Sequence, residues 1–129
     1  MSDALQRLAV QLREEDTPIS PHVVDPREEQ AFALPGEHAF VIEAVREGYL
    51  LHYGDPRLLS GHDPDLALLA GDYLYALGIE RLATLGDTKA VHILADLIST
   101  SAQLHTEGRE DQIPGVWGEA IRKIQGASR

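Results

Sequence analysis

Asp72 is the polar residue whose setting most needs a chemical reason. It stands in Leu68-Leu69-Ala70-Gly71-Asp72-Tyr73-Leu74, midway along the most apolar stretch of the chain. A buried carboxylate is costly unless it is paired or hydrogen-bonded. The sequence therefore predicts Asp72 buried, bonded to a donor on a neighbouring helix, with the helix holding Tyr49 and His52 as the expected source. Two roles fit such a group: a polar contact that fixes helix register, or a ligand-facing or acid–base carboxylate. Tyr49, His52 and Tyr73 complete this ligand-binding or structural polar site, flanked by Tyr53 and Tyr75. Gly71 and Gly78 are seven apart and share a helical face, with Ala67 four before Gly71. Small residues on one face let another helix approach closely.

Other groups with chemical potential form no recognisable constellation. His52, Asp55, His62, Asp63 and Asp65 crowd the segment before the apolar stretch. Imidazole and carboxylate can bind a divalent metal. Their spacing matches no ligand motif, and Asp63 already has a role as a helix cap. No metal site is assigned. There is no H-E-x-x-H, no glycine-rich phosphate loop and no G-x-S-x-G. No residue is assigned a catalytic role and no cofactor is expected.

The elements that must position these residues read as helices. Ser2 or Asp3 caps a first helix with Leu5, Leu8, Ala9 and Leu12 on one stripe. Thr17 to Val24, with Pro18 and Pro21, reads as an extended linker. Asp25-Pro26-Arg27-Glu28 starts a short helix that stops before Pro35-Gly36. A helix follows from about Glu37 to Tyr53, burying Phe40, Val41, Ala44, Val45 and Leu51, with Gly48 marking a close approach or a bend. Residues 54–62 form a loop.

Asp63 then caps a helix that begins at Pro64 and runs to about Leu85, ended by Gly86-Asp87. Apolar residues cover most of its circumference, which places it at the centre of a bundle. Thr88 to about Thr106 carries two apolar lines: Val91, Leu94, Ala95, Ile98 and Ala102, and a second of Ile93, Leu97 and Leu104. The second line predicts a subunit interface. After a polar loop, Pro114 starts a last helix with Trp117, Ala120, Ile121 and Ile124 inward. The expected fold is all-α, a bundle of five to six helices in one domain over residues 1–129. Residues 1–36 hold the N-terminal helices and linker, and 37–129 the helical core.

Composition narrows the function classes. The chain has 129 residues and no cysteine, so disulfides, thiolate metal sites and cysteine nucleophiles are excluded. Formal charge is −10, with 13 acids against 5 bases in the first 65 residues. Neither half is basic, which argues against nucleic-acid partners and anionic membrane surfaces. The N-terminus has no apolar core of signal-peptide length. The apolar run Leu66 to Ile79 is 14 residues long and contains Asp72, too short and too polar to span a bilayer. A cytoplasmic protein that does not span a membrane is the expectation.

The Leu68–Leu74 segment resembles the L-A-G-D-x-L signature of all-trans isoprenyl (polyprenyl) diphosphate synthases. In that family it opens a central helix of an α-helical bundle. Upstream, Glu43 to Tyr53 sits where the family carries its helix with the first aspartate-rich motif; downstream, Leu82 to Leu104 resembles the following loop and helix. Glu107-Gly108-Arg109 echoes a Gly-Gln or Gly-Glu step. The usable resemblance covers about residues 40–105. It is nearest to the small non-catalytic component of two-component heptaprenyl diphosphate synthases, which share the L-A-G-D-Y form and lack the catalytic motifs.

The departures bear on activity. Family catalysis needs paired carboxylates that hold Mg²⁺ against the departing diphosphate. Where the first such motif should be, this chain reads Tyr49-Leu50-Leu51-His52-Tyr53-Gly54-Asp55, with one acid. No D-D-x-x-D occurs, the following arginine pair is missing, and the chain ends before the second motif would appear. The resemblance thus implies an isoprenoid-synthase-like half-domain, not catalytic alone. It would be an accessory subunit that shapes or caps the elongation cavity of a catalytic partner, as a heterodimer with that partner or a homodimer in its absence. The second reading is a self-associating helical protein that binds a small apolar ligand between its helices, with Asp72 or His52 as the polar handle.

Overall fold

The computed structural model describes residues 4–27 and 36–127. Among them the architecture is all-helical: α1 (Ala4–Glu14), α2 (Glu37–Tyr53), α3 (Pro64–Thr84), α4 (Thr88–Thr106) and α5 (Ile113–Ala127), with 3-10 turns at Ser20–His22 and Glu110–Gln112. The chain divides into two compact units, Met1–Gly78 and Ile79–Arg129, and α3 runs from the first into the second. The short helix expected from Asp25 onward falls on residues 28–35, outside the described residues, as does the expected cap at Ser2 or Asp3.

In the first unit, α1 buries Leu5, Leu8, Ala9 and Leu12, the spacing of one helical face. They join Phe40, Ala44 and Leu51 of α2, Leu58 and Leu59 of the loop, and Ala70 and Leu74 of α3 in one core. The stretch after α1 is not the extended linker expected from its prolines. Asp16 takes a left-handed conformation, φ 55°, at the helix end. The Ser20 hydroxyl then turns back and donates to the Leu12 carbonyl at 2.7 Å, satisfying an orphan acceptor of the last turn. Pro21 lies within the 3-10 turn that follows, where its missing N–H costs nothing. Val23 then pairs with Leu59 in an isolated antiparallel bridge, with Val24 N donating to Leu58 O at 2.7 Å and Ser60 N to His22 O at 2.9 Å.

The most enclosed helix of this unit is α2, not α3. Residues 39–45 of α2 are all buried, as are 47–49 and 51. On α3 the buried positions are Ala70, Gly71, Leu74, Gly78 and Leu82, a single stripe, while Leu68, Leu69, Asp72, Ala76, Glu80 and Ala83 are exposed. Apolar composition around the circumference of α3 does not place it at a centre. α2 tolerates enclosure because its two mid-helix acids are neutralised, as described below.

In the second unit, Gly86 (φ 76°) ends α3 with Asp87 N donating to Leu82 O and Gly86 N to Ala83 O, a Schellman ending. Asp87 then caps α4, its carboxylate accepting from Ala90 N at 3.0 Å. Gly108 (φ 71°) repeats the device at the end of α4. α4 and α5 pack as a helical hairpin, burying Leu94, Leu97, Ser101 and Leu104 of one and Ile113, Trp117, Ala120 and Ile124 of the other. Ile121, expected inward, is half-buried.

Candidate functional site

Of the residues expected to form a polar site, the structure brings Asp72 and His52 together at the crossing of α2 and α3. Asp72 is not buried: its side chain is 75% exposed. The exposed stripe of α3 turns it to solvent, so no desolvation forces a partner on it. It nevertheless meets His52, whose Nε2 lies 3.3 Å from Asp72 Oδ1 and 3.3 Å from Leu68 O. Both of those atoms accept, so Nε2 carries the proton. The His52 ring stands edge-on to Tyr75, with centroids 5.2 Å apart, and Tyr49 stacks at a tilt on Tyr53 at 5.3 Å. Burial first, then the neighbouring Tyr53, Tyr49 and Asp72, pushes the Tyr75 phenol above the ordinary tyrosine range.

Tyr49 and Tyr73 are placed apart from this pair. Tyr49 is buried and lies under the Arg46 guanidinium, 5.2 Å from the ring centroid. Tyr73 points the other way along α3 and donates its hydroxyl to Glu15 Oε1 at 2.6 Å, tying α3 to the end of α1. The residues named together from sequence thus divide into a His52–Asp72 pair, its imidazole largely covered and its carboxylate exposed, and two structural tyrosines.

The glycines explain how the helices come so close. A Cβ on Gly48 would stand 2.8 Å from the Tyr75 ring and 2.9 Å from the Gly71 carbonyl oxygen. One on Gly71 would strike the His52 ring and lie 3.1 Å from the Gly48 carbonyl oxygen. Gly78 meets Val45 in the same way, at 2.7 Å. The two backbones cross glycine to glycine, and the His52 ring occupies the space that a side chain at position 71 would fill.

One buried constellation was missed from sequence. Glu43 and Glu47, one turn apart on α2, are 1% and 0% exposed, and Arg57 from the following loop is 8% exposed. Arg57 donates from Nη1 to Glu43 Oε1 at 2.7 Å and from Nε to Glu47 Oε1 at 2.9 Å. Glu47 Oε2 also accepts from the backbone N–H groups of Arg57 and Leu58, both at 2.8 Å. The cluster therefore folds the loop onto α2 and satisfies backbone donors that no sheet or helix supplies. Arg46 is pushed below its ordinary range, by burial first and then by Arg57. The available signal was two acids at i and i+4 inside Phe40–Val45-type apolar sequence, followed by one arginine in the loop.

The line Ile93, Leu97 and Leu104, expected to face another subunit, is turned into the second unit. Leu97 and Leu104 are buried and Ile93 is half-buried. Ile93 and Leu97 face Val116 and Ala120 of α5 across a cavity of about 450 Å³, with Asp96 and Lys123 at its edge. The exposed patch from which an interface was argued is therefore not present along this line. Among the described residues no group of three or more His, Asp or Glu is arranged to hold a metal ion, and no helix is long and apolar enough to cross a membrane. No family model, curated protein or solved structure matches the chain.

Proposed function

We propose that this protein is a non-catalytic accessory subunit related to isoprenyl diphosphate synthases, shaping or capping the elongation cavity of a catalytic partner. The observation that carries this reading is the glycine-to-glycine crossing. Gly71 of the L-A-G-D-Y segment lies against Gly48, on the helix that the resemblance would align with the family's first aspartate-rich motif. The carboxylates of that helix support the non-catalytic part. Glu43 and Glu47 are consumed by Arg57 and by backbone donors, so neither is disposed to hold Mg²⁺ against a diphosphate.

The test is an elongation assay with isopentenyl diphosphate, an allylic diphosphate and Mg²⁺. The chain alone should give no product. Added to a catalytic polyprenyl diphosphate synthase homologue from the same host, it should bind and shift the product-length distribution. Turnover by the rigorously purified chain, or absence of any complex with the homologue, would defeat the reading. The cavity between α4 and α5, lined by Ile93, Leu97, Val116 and Ala120 beside Asp96, Glu119 and Lys123, supports the alternative of an apolar ligand, though away from Asp72 and His52. Lipid that copurifies with the chain and is lost in Leu97→Gln would support that alternative.

A further inference from the structure

The first two turns of α3 carry an unusual surface. Leu68 is 57% and Leu69 67% exposed, and Tyr53 at the end of α2 is 42% exposed. These are three of the six exposed large hydrophobic residues among the described residues. Scattered surface leucines need no explanation; adjacent ones on one ridge do. Asp65, Leu68, Leu69 and Asp72 fall at i, i+3, i+4 and i+7, so the two leucines stand between two exposed carboxylates on one helical face. Tyr53 is joined to this face through His52, whose ring lies 6.0 Å from that of Tyr53 and whose Nε2 meets Leu68 O and Asp72.

Along the segment that carries the ridge the formal charges are almost all negative. Between Glu47 and Glu80 the only lysine or arginine is Arg57. Arg57 is buried on Glu43 and Glu47 and contributes no cation to the surface. Asp55, Asp63, Asp65 and Asp72 are all exposed. An isologous contact with a second copy through this face would set Asp65 and Asp72 against their own counterparts, which opposes it. An anionic bilayer is opposed for the same reason.

We infer that the Leu68–Leu69 ridge is a docking surface for a different protein, one that offers an apolar groove bordered by arginine or lysine. It rests on the accessory role only in requiring a protein partner. The ridge would fill the groove and Asp65 and Asp72 would meet the bordering cations, which sets orientation and association rate.

The test uses the full chain, labelled with ¹⁵N, and two synthetic amphipathic helices with the same leucine stripe, one bordered by arginine and the other by glutamate. The arginine-bordered peptide should bind saturably, at least tenfold more tightly than its twin, and perturb the amides of Tyr53 and residues 65–72. Leu69→Ser, and independently Leu68→Ser, should weaken it about tenfold with the circular dichroism spectrum unchanged. Asp65→Lys with Asp72→Lys should reverse the preference between peptides. Equal binding of both peptides, binding of neither, or affinity indifferent to both serine variants overturns the inference. So does a dimer of the chain that Leu69→Ser dissociates, or capture by anionic vesicles that depends on Leu69. A complex with a catalytic synthase homologue that ignores Leu68→Ser and Leu69→Ser overturns the docking surface and leaves the accessory role standing. Discriminating peptides without any synthase complex do the reverse.

Discussion

Arg57 meets Glu43 and Glu47 where all three side chains are out of water, and the consequences of removing it are asymmetric. A buried charge left without its partner costs about 3–5 kcal/mol. Arg57→Met should therefore lower the urea midpoint severely. The same change with Glu43→Gln and Glu47→Gln already present should cost clearly less, because no uncompensated anion remains. Asp72 behaves in the opposite way. Its side chain is 75% exposed where it meets His52, so Asp72→Ala should change stability by no more than about 0.5 kcal/mol in thermal unfolding. Tyr75 gives a pH signature. Its folded pKa lies above its ordinary value of 10.0, so above that pH the unfolded chain releases a proton that the folded chain still holds. Stability from this group is complete below pH 10 and is lost as pH rises. Tyr75→Phe should flatten the alkaline fall seen in denaturant titrations. The difference should stay well below the ~1.4 kcal/mol per pH unit of a fully shielded group, because Tyr75 is partly exposed.

At the scale of elements, the crossing of α2 and α3 is held by the absence of side chains. Gly48→Ala gains roughly 1 kcal/mol of helix propensity in isolation. In the folded chain its methyl would face the Gly71 carbonyl oxygen at 2.9 Å, and backbone cannot rotate away as a ring can. The variant should be net destabilised, by about 1–3 kcal/mol, in equilibrium unfolding. The α4–α5 hairpin makes a different statement. Leu97 is buried within it, so Leu97→Ala should cost about 2–5 kcal/mol as a cavity-forming change. Loss of stability without a change in sedimentation would separate an internal core position from a subunit contact.

For the molecule as a whole, charge is distributed unevenly. Residues 1–78 carry 14 acids against 5 bases, and residues 79–129 carry 7 against 6. A net charge of −10 should keep the chain off anionic surfaces. Cosedimentation with phosphatidylserine vesicles at low salt should show no retention; retention would contradict the electrostatic argument. The same acidity is what makes a basic-bordered groove the fitting counterpart for the Leu68–Leu69 ridge.

The five long helices were legible in the sequence, while the 3-10 turn after α1 was read as an extended linker. Proline after Asp63, glycine at 86 and aspartate at 87 act through local backbone chemistry, so both ends of α3 and the start of α4 were legible within a few residues. The close approach at Gly48 was legible because a mid-helix glycine needs a reason. Which apolar face meets protein and which meets solvent was decided only in three dimensions. The apolar girth of α3 suggested enclosure, yet Leu68, Leu69 and Asp72 are exposed. The acids of α2 drew no expectation from the sequence, yet Glu43 and Glu47 are buried. Periodicity reports how many faces of a helix could be buried, not which neighbour covers them. A distant arginine can reverse the sign of burying a carboxylate. Arg57 lies 14 residues from Glu43 and 10 from Glu47, and no local pattern records that it folds back over both.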